Sequence, residues 1–185
     1  MSLLEARPLE LPDLIELTPR RFADERGFFS EVYNEARFAE AGIAARFVQD
    51  NVSLSVTRGV VRGLHFQTPP AAQAKLLRVA RGSIFDVGVD LRRSSPTFGR
   101  WAGVVLSADK WNQLYLPEGF AHGFMTLEDN TEVSYKVSAL YSPQHDRSIR
   151  WDDPAIGIEW PAGLHPILSA KDADAPLLAD VETGF

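Results

Sequence analysis

The chain has no cysteine among its 185 residues. That absence removes a disulfide framework, a thiolate zinc centre, an iron–sulfur cluster and a cysteine nucleophile at once. It also suits a reducing compartment. No apolar run approaches the roughly 18 residues that a membrane span needs. The start, MSLLEARPLELPDL, lacks the basic-then-apolar pattern of a secretion signal, so a cytoplasmic protein without a membrane partner is expected. Positive charge is in short supply, with 19 Lys and Arg against 25 Asp and Glu and a net charge of −6. Nucleic-acid binders draw affinity from neutralising phosphates, so no nucleic-acid partner is expected either. With 13 Gly and 12 Pro the chain is neither fibrous nor disordered. There is no internal repeat, low-complexity tract or linker, and the length is that of one domain.

What is present is a series of short apolar runs broken by turn residues. Ten candidate strands can be marked: Leu14–Thr18, Gly27–Tyr33, Phe47–Val56, Val60–Gln67, Lys75–Ala80, Ser83–Leu91, Trp101–Ser107, Asn112–Leu116, Ala121–Leu127 and Thr131–Ser138. Their spacing, about 8 to 12 residues, points to an all-β sandwich or barrel. Arg81-Gly82 and Pro117-Glu118-Gly119 read as turns. Asn34–Ala41 predicts a short helix with Asn34 as N-cap and Gly42 as stop, and the tail after Pro166 predicts another.

Alternation sorts side chains by face. Tyr135 goes with the apolar Val133 and Val137, Lys75 with Leu77 and Val79, and His65 with Val61, Gly63 and Gln67. A histidine, a tyrosine and a lysine on apolar faces could line the inside of one barrel, where buried polar groups need a partner or a ligand. His65 is either a satisfied core histidine or a general base, because imidazole titrates near neutral pH. Arg62, three residues before it, would face the other side of a regular strand. Both serve one site only if the strand kinks at Gly63, or if one of them serves a neighbouring subunit. Arg26, Arg62 and Lys75 are candidate anion binders. Asp86 and Asp90 share a strand face with Gly88, where carboxylates are disfavoured without a partner.

His122 ends Pro117-Glu118-Gly119-Phe120-Ala121-His122, which resembles the second half of the cupin signature. The first half should supply two histidines and a glutamate, but the chain reads His65-Phe66-Gln67. Two histidines without a carboxylate at proper spacing make a poor divalent site, so no metal is expected.

Longer strings carry a fuller resemblance. They are Asp24-Glu25-Arg26-Gly27-Phe28-Phe29, Phe47-Val48-Gln49-Asp50-Asn51, Arg62-Gly63-Leu64-His65-Phe66-Gln67, Ser95-Pro96-Thr97-Phe98-Gly99, Pro117 through Phe124 (PEGFAHGF), Tyr141-Ser142-Pro143, Ile149 through Pro154 (IRWDDP) and Leu168-Ser169-Ala170-Lys171-Asp172. In these the chain resembles the dTDP-4-dehydrorhamnose 3,5-epimerases, over about residues 20–180 and in the family's order. The resemblance implies a cupin-like jelly-roll barrel with a few short helices, formed by a single domain of residues 1–185. It also implies a homodimer, no cofactor, and a dTDP-4-keto-6-deoxy sugar as substrate, inverted at C3 and C5. It implies His65 as base, Asp172 as its partner, Tyr135 as acid and Lys75 as stabiliser of the enolate oxygen. Arg26, Phe29, Glu31, Gln49, Asn51, Arg62 and His122 would hold the nucleotide-sugar, some of them across the dimer interface. Where many members have two tyrosines before Ser-Pro, this chain has Leu140-Tyr141, which leaves an epimerase of only one carbon as the alternative. A metal-dependent cupin and a non-catalytic sugar-binding module are the other readings.

Overall fold

The computed structural model describes residues 2–185. Thirteen strands follow one another: β1 (Leu4–Pro8), β2 (Ile15–Pro19), β3 (Arg21–Asp24), β4 (Gly27–Ser30), β5 (Gln49–Ser55), β6 (Val61–Gln67), β7 (Lys75–Arg81), β8 (Ser83–Asp90), β9 (Trp101–Ser107), β10 (Gln113–Leu116), β11 (Phe120–Thr126), β12 (Thr131–Val137) and β13 (Asp146–Ser148). Helix α1 (Glu35–Glu40) precedes β5, and α2 (Ala170–Ala173) lies in the tail, followed by a 3₁₀ turn at Leu178–Asp180. Asn34 caps α1 as the sequence predicts, its side chain accepting from the Arg37 N–H.

The strands form two antiparallel sheets, in the orders β1-β2-β10-β7-β12-β5 and β13-β6-β11-β8-β9, plus the separate hairpin β3-β4. This is the jelly-roll arrangement. The sheets share one apolar interior. Leu77, Val79, Leu114, Leu116 and Val133 face it from the first sheet, and Ile84, Ala102, Leu106, Phe120 and Phe124 from the second. Period-two alternation explains which residues meet there. Gly88 belongs to this inner surface, and a Cβ on it would come within 2.8 Å of the Leu116 side chain. Much of each outer face is covered too, which is why many strands read as continuous apolar runs. Phe38 of α1 and Ile43 pack on Leu17 and Leu76 of the first sheet. Ile149, Ile156, Leu178 and Val181 of the tail pack on Val87 and Val89 of the second.

Two expectations change. Gly27–Tyr33 is not one long strand: it ends at Ser30 and pairs only with β3, as an exposed hairpin. Strands β1, β3 and β13 escape the alternation test because they are short or mostly exposed. Among the described residues no helix is long and apolar enough to cross a membrane.

Asp90 has a structural task. It is fully buried and accepts from the Arg92 guanidinium at 2.8 and 2.9 Å, from the Arg92 N–H at 2.9 Å, and from the Ser95 and Thr97 hydroxyls at 2.6 Å each. This knot explains Ser95-Pro96-Thr97 and closes the loop from β8 to β9. Burial pushes the Asp90 carboxyl up, but the hydrogen bonds from Arg92, Ser95 and Thr97 outweigh it and hold it far below the usual carboxylate range. A depressed folded pKa means that the knot contributes fully above the unfolded value of about 3.9 and is lost only as pH falls well below it. We predict that Asp90→Ala costs about 1.5 to 3 kcal/mol at neutral pH. Urea unfolding should show a lower midpoint with unchanged slope, and the deficit should shrink in strong acid; an unshifted midpoint contradicts the assignment.

Candidate active site

One end of the barrel interior is not filled by apolar side chains. It opens as a cavity of about 420 Å³ whose lining includes Arg62, His65, Lys75, His122, Tyr135 and Asp172. A second space of about 390 Å³ adjoins it. That space shares His65, Lys75, Tyr135 and Lys171 with the first and adds Gln49, Asn51 and Tyr141.

The walls are the two sheets. His65 on β6 and His122 on β11 are register partners on one wall. On the other, Tyr135 of β12 stands opposite Asn51 of β5 in register, and Lys75 lies on the neighbouring β7. His65 and Arg62 both reach the cavity because β6 is irregular between them. His122 pairs with His65 and Phe124 with Arg62, so three steps on β6 match two on β11. The extra residue reverses the parity of the alternation. It falls at Gly63, whose φ of +130° suits glycine, and whose Cβ, if present, would lie 2.5 Å from the Gly123 Cα. The kink is therefore what the sequence alternatives required for a single-chain site.

Asp172 arrives from the tail. Ile167 bridges to Val60 at the start of β6, and Ser169 then caps α2, accepting from the Asp172 N–H and donating to Asp172 Oδ2 at 2.9 Å. This leaves Oδ1 2.5 Å from His65 Nε2. Burial pushes the Asp172 carboxyl up, but the hydrogen bonds from His65 and Ser169 prevail and keep it below the ordinary range. A low carboxyl pKa keeps Asp172 an anion, which fixes the Nε2–H tautomer and would stabilise an imidazolium. Tyr135 is pushed up by burial, only partly opposed by Arg62, so its phenol stays protonated. Lys75 is buried, with Nζ 3.3 Å from the His65 carbonyl. Burial brings it down to about 8, against the pull of Asp146 and Asp86.

Three expected residues are not part of this chain's cavity. Arg26 pairs with Asp24 on the exposed β3-β4 hairpin. Phe29, on the same hairpin, is 68% exposed. Glu31 pairs with Arg37. The sequence reading of single residues also passed over four lining groups: Ser53, Phe124, Asp146 and Lys171. Asp146 sits on a three-residue strand, too short to show a face, and Lys171 reads as an ordinary charged tail residue. Leu140 lines neither space; Tyr141 does, with its N–H donating to Gln49 Oε1. Among the described residues no group of three His, Asp or Glu side chains could hold a metal ion.

Fold and cavity define a class, jelly-roll barrels with an acid–base site at one end. The comparisons narrow it. A family model described as dTDP-4-dehydrorhamnose 3,5-epimerase matches residues 8–180. The enzyme of that name from Salmonella typhimurium is 56% identical, over 91% of this chain and 92% of that one. The crystal structure of a dTDP-6-deoxy-D-glucose-3,5-epimerase from Legionella pneumophila, in complex with dTDP-4-keto-L-rhamnose, is similar with a TM-score of 0.93. Its identity is 43%, over 97% of this chain and 95% of that one. A 3′-monoepimerase from Streptomyces bikiniensis is similar at 36% identity and a TM-score of 0.87, over 94% and 87% of the two chains. The chain belongs to the dTDP-4-dehydrorhamnose 3,5-epimerase family.

The environment of Lys75 makes a prediction. By NMR its ammonium should titrate near pH 8, while its ordinary value is 10.5. Asp146→Asn removes a neighbouring negative charge and should move the titration lower still. A Lys75 that titrates above pH 10 contradicts its burial.

Proposed function

We propose that the protein inverts C3 and C5 of dTDP-4-dehydro-6-deoxy-D-glucose, giving dTDP-4-dehydro-L-rhamnose, and that it works as a single-domain cytoplasmic homodimer. The observation that carries the reaction is the placement of His65 and Tyr135 on opposite walls of one cavity. Inversion needs a proton removed from one face of a carbon and another delivered to the opposite face.

Both carbons flank the C4 ketone, so loss of either proton gives an enolate. His65 donates Nε2–H to Asp172 and takes the carbon-bound proton on Nδ1. The electrons of the broken C–H bond move into the enolate, and the charge on the C4 oxygen is held by the Lys75 ammonium. Tyr135 gives its phenolic proton to the opposite face of the carbon. The imidazolium and the phenolate then return to their resting states by exchange with solvent, and the cycle repeats at the second carbon. The scheme uses side chains alone and calls for no cofactor. Arg62, exposed at the cavity rim, suits the diphosphate. Leu140, the departure that raised a one-carbon epimerase, has its side chain 66% exposed and outside the cavity. That reading is not favoured.

The dimer reading rests on β5. It is the open edge of its sheet, and its outward residues Val52 and Leu54, with Val56 just beyond, are 67%, 50% and 65% exposed. A second copy laid along this edge would cover them. The β3-β4 hairpin, with Arg26 and Phe29 outside the cavity of its own chain, is the segment this reading assigns to a neighbouring cavity.

In D₂O with EDTA present, proton NMR of dTDP-4-dehydro-6-deoxy-D-glucose should show deuterium entering at both C3 and C5. Label at one carbon alone, or at neither, overturns the assignment. Sedimentation should show a dimer, and Val52→Asp should shift it toward a folded monomer with at least tenfold lower activity, about 1.4 kcal/mol in the barrier. A fully active monomer contradicts the dimer.

A further inference from the structure

The cavity holds two carboxylate–imidazole pairs, side by side. His65 and His122 are cross-strand partners, and each turns Nε2 to an aspartate, at 2.5 Å from Asp172 and 2.6 Å from Asp86. Their surroundings differ. The His65 side chain is 31% exposed, whereas those of His122 and Asp86 are 9% and 0% exposed. Asp86 lies on β8, two residues before Gly88, which is the register partner of His122. Its Oδ1 meets the imidazole, and its Oδ2 is buried without a hydrogen-bond partner.

With Asp86 accepting at Oδ1, the His122 proton sits on Nε2. Burial pulls the His122 imidazole below its ordinary value against the attraction of Asp86, and the Lys75 and His65 charges act in the same direction as burial. The neutral ring then carries a bare lone pair on Nδ1. Among the described residues Nδ1 has no partner, and the ring forms part of the cavity wall.

A lone pair facing a ketone or enolate oxygen is repelled by it. The oxygen at C4 has a better partner in the Lys75 ammonium, whose protein hydrogen bond is the one to the His65 carbonyl. The groups left on a 4-keto-6-deoxy sugar that can donate to His122 are its hydroxyls. We propose that Asp86 is a positioning residue that fixes His122 as a hydrogen-bond acceptor, so that the cavity selects a sugar by a hydroxyl at C2 or C3. This rests on the nucleotide-sugar reading above, and it gives the two histidines opposite duties. His65 takes a proton from carbon; His122 accepts a hydrogen bond and keeps no proton for the reaction.

Two measurements test it. In ¹⁵N-histidine-labelled protein without ligand at neutral pH, His122 should show an N–H nitrogen at Nε2 and a lone-pair nitrogen at Nδ1. A proton on Nδ1, alone or with one on Nε2, overturns the proposal, and this readout does not depend on activity. The second measurement compares kcat/KM for exchange of the C5 proton, a step common to all three, in the native dTDP-sugar and in its 2-deoxy and 3-deoxy counterparts. The protein should prefer the native sugar over one of them by at least tenfold, since unpaired groups in a site penalise the analogue that lacks their partner. In Asp86→Ala that preference should fall to about twofold or less as the ring loses its anchor. Asp86→Asn, whose carbonyl can still accept from Nε2, should keep part of it. An equal loss for all three sugars makes Asp86 merely structural and overturns the proposal. Turnover of none of them by the unsubstituted protein is a failure of the epimerase reading instead, and leaves the tautomer measurement to decide this one.

Discussion

One extra residue in β6 organises the active site. Without it Arg62 and His65 would fall on opposite faces of the strand, and the base would share no cavity with Arg62. At the bulge the backbones of Gly63 and Gly123 come close, with no space for a Cβ on Gly63. The same irregularity keeps His65 in register with His122, so two imidazoles stand on one wall. The cavity depends on a defect in the sheet that a more regular strand would have closed.

The opposing wall is regular from Val133 to Val137, where β12 pairs with β7 without a shift. Tyr135 and Lys75 point inward by plain alternation, and their strands are neighbours in the sheet. Burial then does chemical work on both: it keeps the phenol protonated and brings the ammonium down to about 8. Asp172 comes from a different layer altogether, a tail segment tied to the start of β6 and capped by Ser169. Three sources that are far apart in sequence thus meet: a kinked strand, a straight pair of strands and a four-residue helix.

Much of this was legible beforehand, for reasons that differ by residue. Strands β7, β9 and β12 have apolar inner faces long enough to show alternation, and Asn34 shows the chemistry of a helix cap. Tyr135 and Lys75 were visible as polar residues on apolar faces. Asp172 was visible only through the family's motif, because a short helix has no period and its partner is 107 residues away. Asp86 was marked as a carboxylate sharing a strand face with Gly88 and Asp90, but nothing local tied it to His122 on another strand. Asp90, marked for the same reason, serves the β8–β9 loop instead. Arg26, Phe29 and Glu31 stand apart from the cavity of their own chain, where strand patterns say nothing about a second copy.

The central claim is that a proton leaves toward one wall and another returns from the opposite one. Tyr135→Phe tests it most directly, with hydrogen–deuterium exchange and inversion followed together in the 4-keto sugar. The account predicts that exchange at C3 or C5 persists, driven by His65 and Asp172, while inversion slows by about 10² to 10⁴, the usual contribution of a general acid. If exchange and inversion fall by the same factor, Tyr135 is not the acid and the two-wall mechanism is wrong.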